Sequence, residues 1–221
     1  MQRLFDIVFS LAALVVLSPF LVPIMIILRF SGEGEVFFRQ SRVGKGGRAF
    51  SLLKFATMLK DSPNLGTGTI TVKDDPRVLP LGKFLRASKI NELPQLINVL
   101  IGDMSIIGPR PQTLRCFDAF PARSQREIIK VRPGLSGVGS IAFRAEEVMM
   151  GDADNADRLY DQVIMPYKGQ LEEWYVVNQG LSNYFLLIFA TIWVVMFPST
   201  GALCRIFKDL PQPPESLKRY L

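Results

Sequence analysis

The feature that most constrains this chain is a run of 22 uncharged, mostly apolar residues near its start, at positions 7–28. As a straight helix the run measures roughly 33 Å, which is enough to cross the hydrocarbon core of a bilayer. A signal peptide is a poor interpretation, because the run is too long and no small-residue cleavage site follows it. The sequence therefore predicts a membrane anchor at residues 1–32.

Two features of the anchor argue against a simple crossing. Pro19, directly after Ser18, and Pro23 each remove a hydrogen bond from the middle of the helix. Basic residues flank the run on both sides, and the positive-inside rule assigns both flanks to the cytoplasm. These residues are Arg3 before the run and Arg29, Arg39, Arg42, Lys45 and Arg48 after it. A helix–break–helix hairpin that enters and leaves one leaflet satisfies both features, and a proline-kinked single span is the alternative.

Composition limits the chemistry available to the chain. It carries 26 Lys and Arg against 20 Asp and Glu, with a net charge of +6 and no histidine, so His catalysis and His metal ligands are excluded. The basic balance favours phosphate-rich partners such as anionic lipid or nucleotide, and no nucleic-acid motif is present. Cys116 and Cys204 have no metal or redox spacing, and we interpret them as incidental reduced thiols.

The rest of the chain predicts a mixed domain. Short apolar runs at 35–40 and 49–55 flank a glycine-rich turn and predict a β-hairpin, with Lys54 near its end. The apolar run at 184–197 is too short to span a bilayer, and it fits a membrane-surface helix, a core helix or a homodimer contact. A Pro-rich tail occupies 201–221, and we expect it to be loosely ordered from Leu210.

Residues 88–111 combine a helix with a proline-flanked arginine. Apolar residues recur with helical spacing from Leu93, and Pro94 is tolerable only in a first turn, so the helix is expected to begin close to Asn91 or Glu92. That start would place both side chains at the phosphate-attracting end of the helix. Arg110, held between two prolines, suits phosphate binding. A capped surface helix and an ordinary proline turn explain the same residues.

Motifs follow one another along the chain in a familiar order. They are Ser18-Pro19, residues 38–44, 54–58, 92–100, 102–105 and 108–111, and finally Arg-Pro-Gly-Leu-Ser-Gly at 132–137. Together they resemble the bacterial sugar transferases called monotopic phosphoglycosyl transferases, in the small form that is little more than the catalytic core. The resemblance covers about residues 1 to 195.

The resemblance implies an activity and a location. Members transfer a sugar 1-phosphate from a UDP-sugar to undecaprenyl phosphate, releasing UMP, in the first membrane step of glycoconjugate synthesis. They require Mg²⁺, contact inner-membrane lipid through a re-entrant anchor and face the cytoplasm. The implied fold is α+β and mainly helical, with the anchor at 1–32 and a catalytic domain at 33–200 that carries a small β-hairpin and membrane-surface amphipathic helices. The short form suggests an N-acetylated amino sugar as donor.

The resemblance also implies roles for particular residues. Asn91 and Glu92 align with an Asp-Glu pair in which one carboxylate attacks the β-phosphate of the UDP-sugar, and Glu92 is expected to bind Mg²⁺. The expected phosphate-binding side chains are Lys54, Arg86, Arg110 and Arg132. Ser18 and Pro19 are expected to set the angle of the membrane hairpin.

Asn91 departs from the family pattern, because an amide cannot form the acyl phosphate that nucleophilic catalysis requires. Three explanations remain open from the sequence. An aspartate-to-asparagine replacement traps the substrate, Glu92 acts as the nucleophile, or the chain is a non-catalytic, membrane-anchored protein that binds UDP-sugar or polyprenyl phosphate.

Overall fold

The computed structural model describes residues 1–64, 75–144, 146, 149, 156–197 and 202–218. Two compact units make up the chain. The first unit comprises Met1–Asp6, Arg42–Phe50 and Gly102–Leu221, and the second comprises Ile7–Ser41 and Ser51–Ile101. The functional division at residues 32 and 200 stays a prediction.

The described residues are mainly helical. The α-helices are α1 Gln2–Phe30, α2 Pro80–Ala87, α3 Gln95–Ile101, α4 Leu114–Asp118, α5 Ala122–Ile128, α6 Val138–Ala142, α7 Ala156–Leu159, α8 Met165–Val177, α9 Leu181–Met196 and α10 Ala202–Ile206. A π-helical turn, Tyr160–Ile164, joins α7 to α8. The strands are β1 Phe37–Val43, β2 Ala49–Phe55, β3 Ser105–Ile107 and β4 Gly134–Ser136. The expected α+β, mainly helical class is confirmed.

Helix α1 is continuous through both prolines. Pro19 has no N–H to donate to the carbonyl of Val15, and the Ser18 Oγ donates to that carbonyl instead, at 2.8 Å. The hydroxyl thus replaces the missing backbone bond and keeps the helix intact. Among the described residues, α1 is the one helix long and apolar enough to cross a membrane, with a mean hydropathy of 2.7 over its most apolar window. The expected break into two helices is not shown.

The predicted β-hairpin is confirmed, because β1 and β2 form a two-stranded sheet. Residues of each strand fall in both units. The first strand of the hairpin begins two residues later than expected and continues to Val43, whose N–H donates to the carbonyl of Gln112. Gly46 and Gly47 close the turn with positive φ angles of 71° and 75°, a conformation that glycine adopts without strain.

The second unit has its own apolar core, in which α1 packs with the hairpin and α2. Its buried members are Leu21, Leu28, Phe55 and Leu85. Gly82 lets α2 approach the backbone of Thr57, because a Cβ at this glycine would lie 2.1 Å from the Thr57 carbonyl oxygen. This contact fixes the helix that carries Arg86.

The first unit contains a parallel strand pair that the sequence did not predict. Ser105 of β3 pairs with Gly134 of β4, and Ile107 pairs with Ser136. Behind the pair lies the main core, built largely from α6, α8 and α9.

The C-terminal segment of the first unit corrects one expectation. Leu210 and Leu217 are 7% and 0% exposed in the main core, and the Tyr167 hydroxyl donates to the Pro211 carbonyl at 2.9 Å. The segment at 202–218 is therefore packed, because leucines on both sides of its prolines supply apolar anchors that composition alone does not reveal.

Candidate functional site

The second unit brings Lys54 of β2 to Glu92. The lysine Nζ lies 3.2 Å from the glutamate Oε1, and the two side chains are 18% and 19% exposed. A pair with that exposure is reachable by a ligand, while its charges interact more strongly than on an open surface. The structure therefore joins two of the predicted site residues, which are 38 positions apart in the chain.

Asn91 and Glu92 lie in a 3₁₀ turn, Ile90–Glu92, and not in the first turn of an α-helix as expected. The α-helix begins only at Gln95. Pro94 explains the difference: it offers no N–H to Ile90, whose carbonyl instead accepts from the N–H of Leu93 at 3.1 Å. The expected start at Asn91 or Glu92 is wrong by one turn, so the helix end does not create the site.

Asn91 is 6% exposed, and its side-chain oxygen, Oδ1, has no hydrogen-bond partner in the part of the chain that the structure describes. Leaving a buried acceptor unpaired costs roughly 1–3 kcal/mol, so such an atom in a native fold needs an explanation. A buried, unsatisfied oxygen directly beside the Lys54–Glu92 pair is typical of a ligand site.

Strain marks the same turn. Lys89, the residue before it, has a φ of 60° and lies in the left-handed region, the one non-glycine residue with a positive φ among those described. This conformation costs an L-residue roughly 1–2 kcal/mol. The neighbouring core holds it in place, since Ile90 and Leu93 pack against the buried residues of the second unit.

Asn98 on α3 holds β2 beside the turn. Its Oδ1 accepts the backbone N–H of Leu53 at 2.9 Å, and its Nδ2 donates to the Ser51 carbonyl at 2.8 Å. The side chain is 1% exposed and bonds to the strand as another strand would. Sequence reasoning missed this residue. Its position on the polar side of an apolar helical stripe was the available signal.

Arg86 lies in the last turn of α2, in the same unit, and is half-buried. Its Nη1 lies 3.8 Å from the Met58 sulfur. The role of Arg86 in phosphate binding stays a prediction.

The first unit places Arg110 and Arg132 at the ends of the parallel strand pair. Gly134 N–H donates to the Pro109 carbonyl at 2.8 Å, and Ser105 N–H donates to the Pro133 carbonyl at 2.8 Å. Glycine is required at this crossing, because a Cβ on Gly134 would lie 2.1 Å from the backbone nitrogen of Gly108. The two Arg-Pro elements are thus adjacent, although each arginine lines a different cavity.

Glu172 on α8 is a second feature that sequence reasoning missed. It is 1% exposed, and its Oε1 accepts the backbone N–H of Arg110 at 3.3 Å. Burial raises the pKa of Glu172 to about 7, against the lowering effects of the Arg110 N–H and of Lys168. The signal was a carboxylate one turn from a lysine on the apolar stripe of a helix, where a charge is rarely left without a purpose.

Comparison with known proteins gives these residues a context. A family model described as "Bacterial sugar transferase" matches residues 1–198. The putative undecaprenyl-phosphate N-acetylgalactosaminyl 1-phosphate transferase of Bacillus subtilis is 41% identical over 154 residues, which are 69% of this chain and 81% of that protein. An exopolysaccharide production protein of Rhizobium leguminosarum is 37% identical over 148 residues, 64% of this chain and 73% of that protein.

A longer relative shows the same core. The UDP-glucose:undecaprenyl-phosphate glucose-1-phosphate transferase of Escherichia coli is 34% identical over 178 residues, which are 80% of this chain but 37% of that protein. The family model covers nearly the whole chain, from the anchor to the end of α9, and includes the Lys54–Glu92 pair and both Arg-Pro elements. The chain therefore belongs to the bacterial sugar transferase family.

Proposed function

We propose that the chain transfers a sugar 1-phosphate from a UDP-sugar to undecaprenyl phosphate and releases UMP. Family membership and the names of the relatives support this reaction. The observation that carries it is the part-buried Lys54–Glu92 pair beside the unsatisfied oxygen of Asn91. This arrangement supplies a carboxylate, an ammonium and a neutral oxygen within one short turn and the adjoining strand.

The proposed chemistry has two steps. A carboxylate oxygen attacks the β-phosphorus, and the bond from that phosphorus to the bridging oxygen breaks, so UMP leaves with the bridging oxygen. The phosphosugar stays on the enzyme as an acyl phosphate. An oxygen of undecaprenyl phosphate then attacks the same phosphorus, which releases the carboxylate and forms the lipid diphosphate sugar.

Glu92 is the carboxylate that we assign to this attack. The amide of Asn91 has no oxygen nucleophile that forms an acyl phosphate, and Glu92 is the carboxylate in the turn. Lys54 holds the Glu92 side chain and places a positive charge where negative charge builds up as the bridging oxygen departs.

Mg²⁺ fits the oxygen donors of this turn. Asn91 offers a buried oxygen that lacks a partner among the described residues, and Glu92 offers a carboxylate beside it. The described residues gather no group of three or more acidic, His or Cys side chains, so the ion would rely on substrate phosphates and water for its other ligands. When bound, Mg²⁺ supplies positive charge to the diphosphate.

We also propose that Arg86, Arg110 and Arg132 bind phosphate oxygens. Arg86 has a half-buried position near the end of α2, and Arg110 has a backbone restrained by two prolines and by Glu172. A planar guanidinium on a restrained backbone suits a phosphate, which it binds through two parallel hydrogen bonds.

Release of UMP tests the proposal. The full-length protein, reconstituted with undecaprenyl phosphate and Mg²⁺, is compared with Asn91→Asp and Glu92→Gln. We expect turnover by the unchanged chain, little further gain from Asn91→Asp and loss of turnover in Glu92→Gln. Turnover that persists in Glu92→Gln would refute Glu92 as nucleophile. Turnover that appears only with Asn91→Asp would mean that the site is built for an aspartate and that the present chain binds substrate without converting it.

That last outcome is the second candidate function, a membrane-anchored protein that binds UDP-sugar or polyprenyl phosphate. Asn91 is the observation that favours it. Equilibrium binding of a UDP-sugar by the unchanged chain, without UMP release, would support binding over catalysis, and the absence of UMP release from Asn91→Asp as well would strengthen that conclusion.

We propose an N-acetylated amino sugar as the donor. Support comes from the Bacillus subtilis relative, which this chain covers to 81% of its length and which is named for N-acetylgalactosamine. A panel of UDP-GalNAc, UDP-GlcNAc, UDP-glucose and UDP-galactose, compared by kcat/KM, identifies the donor. A preference for UDP-glucose or UDP-galactose would contradict the proposal.

We propose that the chain lies in the bacterial inner membrane with both ends of α1 on the cytoplasmic side. The two basic flanks support this topology, and so does the exposed apolar surface of α1, whose most apolar window is only 11% buried. Pro19→Ala is expected to favour a straight span, because it restores the N–H that a regular helix uses. Labelling of single cysteines at both flanks checks this, and flanks that both remain cytoplasmic in Pro19→Ala would contradict it.

The outer face of α9 supports further membrane contact or a homodimer. Its exposed apolar side chains are Phe185, Leu186, Phe189, Ile192, Trp193, Val195 and Met196. Exposed patches of this kind mark membrane or protein contacts. We propose membrane-surface contact as the main role, and crosslinking in nanodiscs that hold one chain or two tests the homodimer.

A further inference from the structure

The first unit contains a polar cavity of about 120 Å³. The first turn of α1, the hairpin turn, the segment after α5, strand β3 and the end of α8 all contribute to its wall. A single water needs roughly 10–15 Å³ in such a cavity, whereas pockets for drug-sized ligands measure about 300–1,000 Å³. The volume therefore suits a group the size of a phosphate better than a whole nucleotide.

Four basic side chains line this cavity. They are Arg3, Lys45, Lys130 and Arg132, from three separate segments of the chain. The one acidic side chain in the wall is Asp6, so the lining carries an excess of positive charge. Placing like charges around one small cavity is unfavourable without a counter-charge, which is the electrostatic pattern of an anion site.

The negative charge of Asp6 is already used within the protein. Its Oδ1 accepts the Ser105 hydroxyl at 2.9 Å, the Ile106 N–H at 3.0 Å and the Tyr184 hydroxyl at 3.0 Å. Asp6 is only 1% exposed. This carboxylate ties the first turn of α1 to strand β3.

Backbone contacts position the Arg132 side chain and the turn that carries Lys45. The Arg132 Nε donates to the Gly102 carbonyl at 2.9 Å, and a Cβ on Gly102 would lie 3.2 Å from the Arg3 Nη2. The turn that carries Lys45 is fixed to the end of α5, because the Gly46 N–H donates to the Ile129 carbonyl at 2.7 Å.

The two lysines differ in their present partners. The Lys130 Nζ pairs with Glu127 at 2.6 Å, on an exposed surface where such a pair is worth little. Lys45 makes no ion pair with any described residue. An anion in the cavity would therefore meet two lysine ammonium groups in addition to the two guanidinium groups.

We propose that this cavity binds a phosphate group, with Arg3, Lys45, Lys130 and Arg132 as its cationic partners. The position of Arg3 at the start of the apolar helix α1 favours the headgroup of a membrane lipid as the source, and a soluble phosphate presents the same chemistry. Arg132 is also one of the phosphate-binding side chains of the proposed function, whereas Arg3, Lys45 and Lys130 are not, so a test that replaces only the two lysines can fail without the proposed function failing.

A charge-matched pair of variants tests the cavity in the full chain, held in micelles of an uncharged detergent. Lys45→Ser with Lys130→Ser removes two cations from the cavity. Arg48→Ser with Arg126→Ser removes two cations from exposed positions of the same unit that do not line it. Inorganic phosphate is titrated without UDP-sugar, and melting temperatures confirm that both variants fold.

We expect phosphate to bind at least tenfold more weakly to the cavity variant and less than twofold more weakly to the control. Equal losses in both variants, or no saturable binding by the unchanged chain, would overturn the proposal. Lys45→Arg with Lys130→Arg should retain binding, and a loss there as large as with serine would also count against it.

A lipid arm distinguishes the two sources. Short-chain phosphatidic acid is titrated against phosphatidylcholine of the same chain length. Tighter binding of phosphatidic acid than of inorganic phosphate, weakened by the cavity variant, supports a lipid headgroup. Equal affinity for phosphatidic acid and inorganic phosphate supports a phosphate site whose ligand is a soluble phosphate. Binding of phosphatidylcholine as tight as that of phosphatidic acid, unaffected by the variant, would refute a phosphate site.

Discussion

Two regions of the molecule carry the residues that matter most, and they are built by opposite means. In the second unit, side chains make the site: Lys54 pairs with Glu92, and the Asn98 amide holds the strand. In the first unit, backbone makes it: the strands β3 and β4 pair directly, with glycine at the crossing. The first arrangement should be sensitive to the chemistry of single side chains, and the second to any added volume.

The carboxylates Glu92 and Glu172 represent the two regions, and their environments differ. Glu92 is about one-fifth exposed and faces an ammonium, as a group that meets a charged substrate must. Glu172 is buried, receives one backbone N–H, and has its pKa raised to about 7 by burial. The same residue type thus serves the proposed chemistry in one region and the support of Arg110 in the other.

Glu92→Gln is expected to have the largest effect, a loss of turnover. The amide keeps the shape of the side chain but cannot form the acyl phosphate, so we expect turnover to fall by about 10³-fold or more, equivalent to about 4 kcal/mol. UMP release under saturating donor measures this. Glu173→Gln on α8 is the control. A comparable loss of turnover there would show that the effect is not specific to Glu92.

Gly134→Ala tests the backbone-built region. The added methyl group would overlap the Gly108 nitrogen, so the strands must separate, at a cost of about 3 kcal/mol or more. Chemical denaturation in micelles measures the loss of stability. The control is Gly180→Ala, because a Cβ there meets no atom within 4 Å. Equal stability of the two variants would show that the close approach does not constrain the fold.

Glu172→Gln tests the environment of the buried carboxylate through the pH dependence of folding stability. Because the folded state raises the pKa from 4.5 to about 7, the stabilising contribution of protonated Glu172 is full below about pH 4.5 and is lost as pH rises through about 7. The glutamine variant mimics the protonated form. We expect it to exceed the unchanged chain in stability by up to about 3 kcal/mol at pH 8.

Melting temperatures between pH 4.5 and pH 8.5 check that expectation. The difference between the two proteins should grow with pH, and a constant difference would contradict a raised pKa. Glu173→Gln serves again as the comparison, because its side chain is bound to Ser124 and Arg123 and not to Arg110.

Asn98→Ala probes the side-chain-built region without touching the proposed nucleophile. It leaves the Leu53 N–H and the Ser51 carbonyl without their partner, which costs about 2–3 kcal/mol. We expect a lower denaturation midpoint and slower UMP release, because β2 carries Lys54. Asn98→Asp keeps the acceptor for Leu53 and should recover part of the stability. If Asn98→Asp is as unstable as Asn98→Ala, the lost hydrogen bond to Leu53 is not the cause of the destabilisation.

Lys89→Gly carries the smallest expected effect. Glycine accepts the φ of 60° without strain, although it loses more entropy on folding, so a net gain of up to about 1 kcal/mol is expected. Lys89→Val should destabilise, because a β-branched side chain tolerates this conformation worst. Denaturation of both variants measures the difference, and a valine variant as stable as glycine would show that the turn relaxes.

The sequence by itself determined the elements whose signals are local. The apolar run that forms α1 and the hairpin around the glycine turn needed only hydrophobic pattern and turn chemistry. The same local signals misplaced the start of α3 by one turn, because Pro94 removes an N–H whose effect depends on which carbonyl the neighbours then satisfy.

The candidate site was predictable as a set of residues but not as an arrangement. Motif resemblance singled out Lys54, Glu92, Arg110 and Arg132, yet only the fold showed which of them pair and which line cavities. The sequence did not reveal the roles of Asn98 and Glu172, because a buried amide or carboxylate looks the same in sequence as an exposed one.

Tertiary structure alone decided the long-range contacts. The strands β3 and β4 are each three residues long, which is too short to produce a periodic signal in the sequence. They pair in parallel through backbone hydrogen bonds, and a glycine lies at their closest approach. The cationic cavity likewise assembles Arg3, Lys45 and Arg132 from distant positions. Local sequence specifies local backbone because the interacting atoms are covalent neighbours, whereas these contacts exist only once the chain has folded and brought distant atoms together.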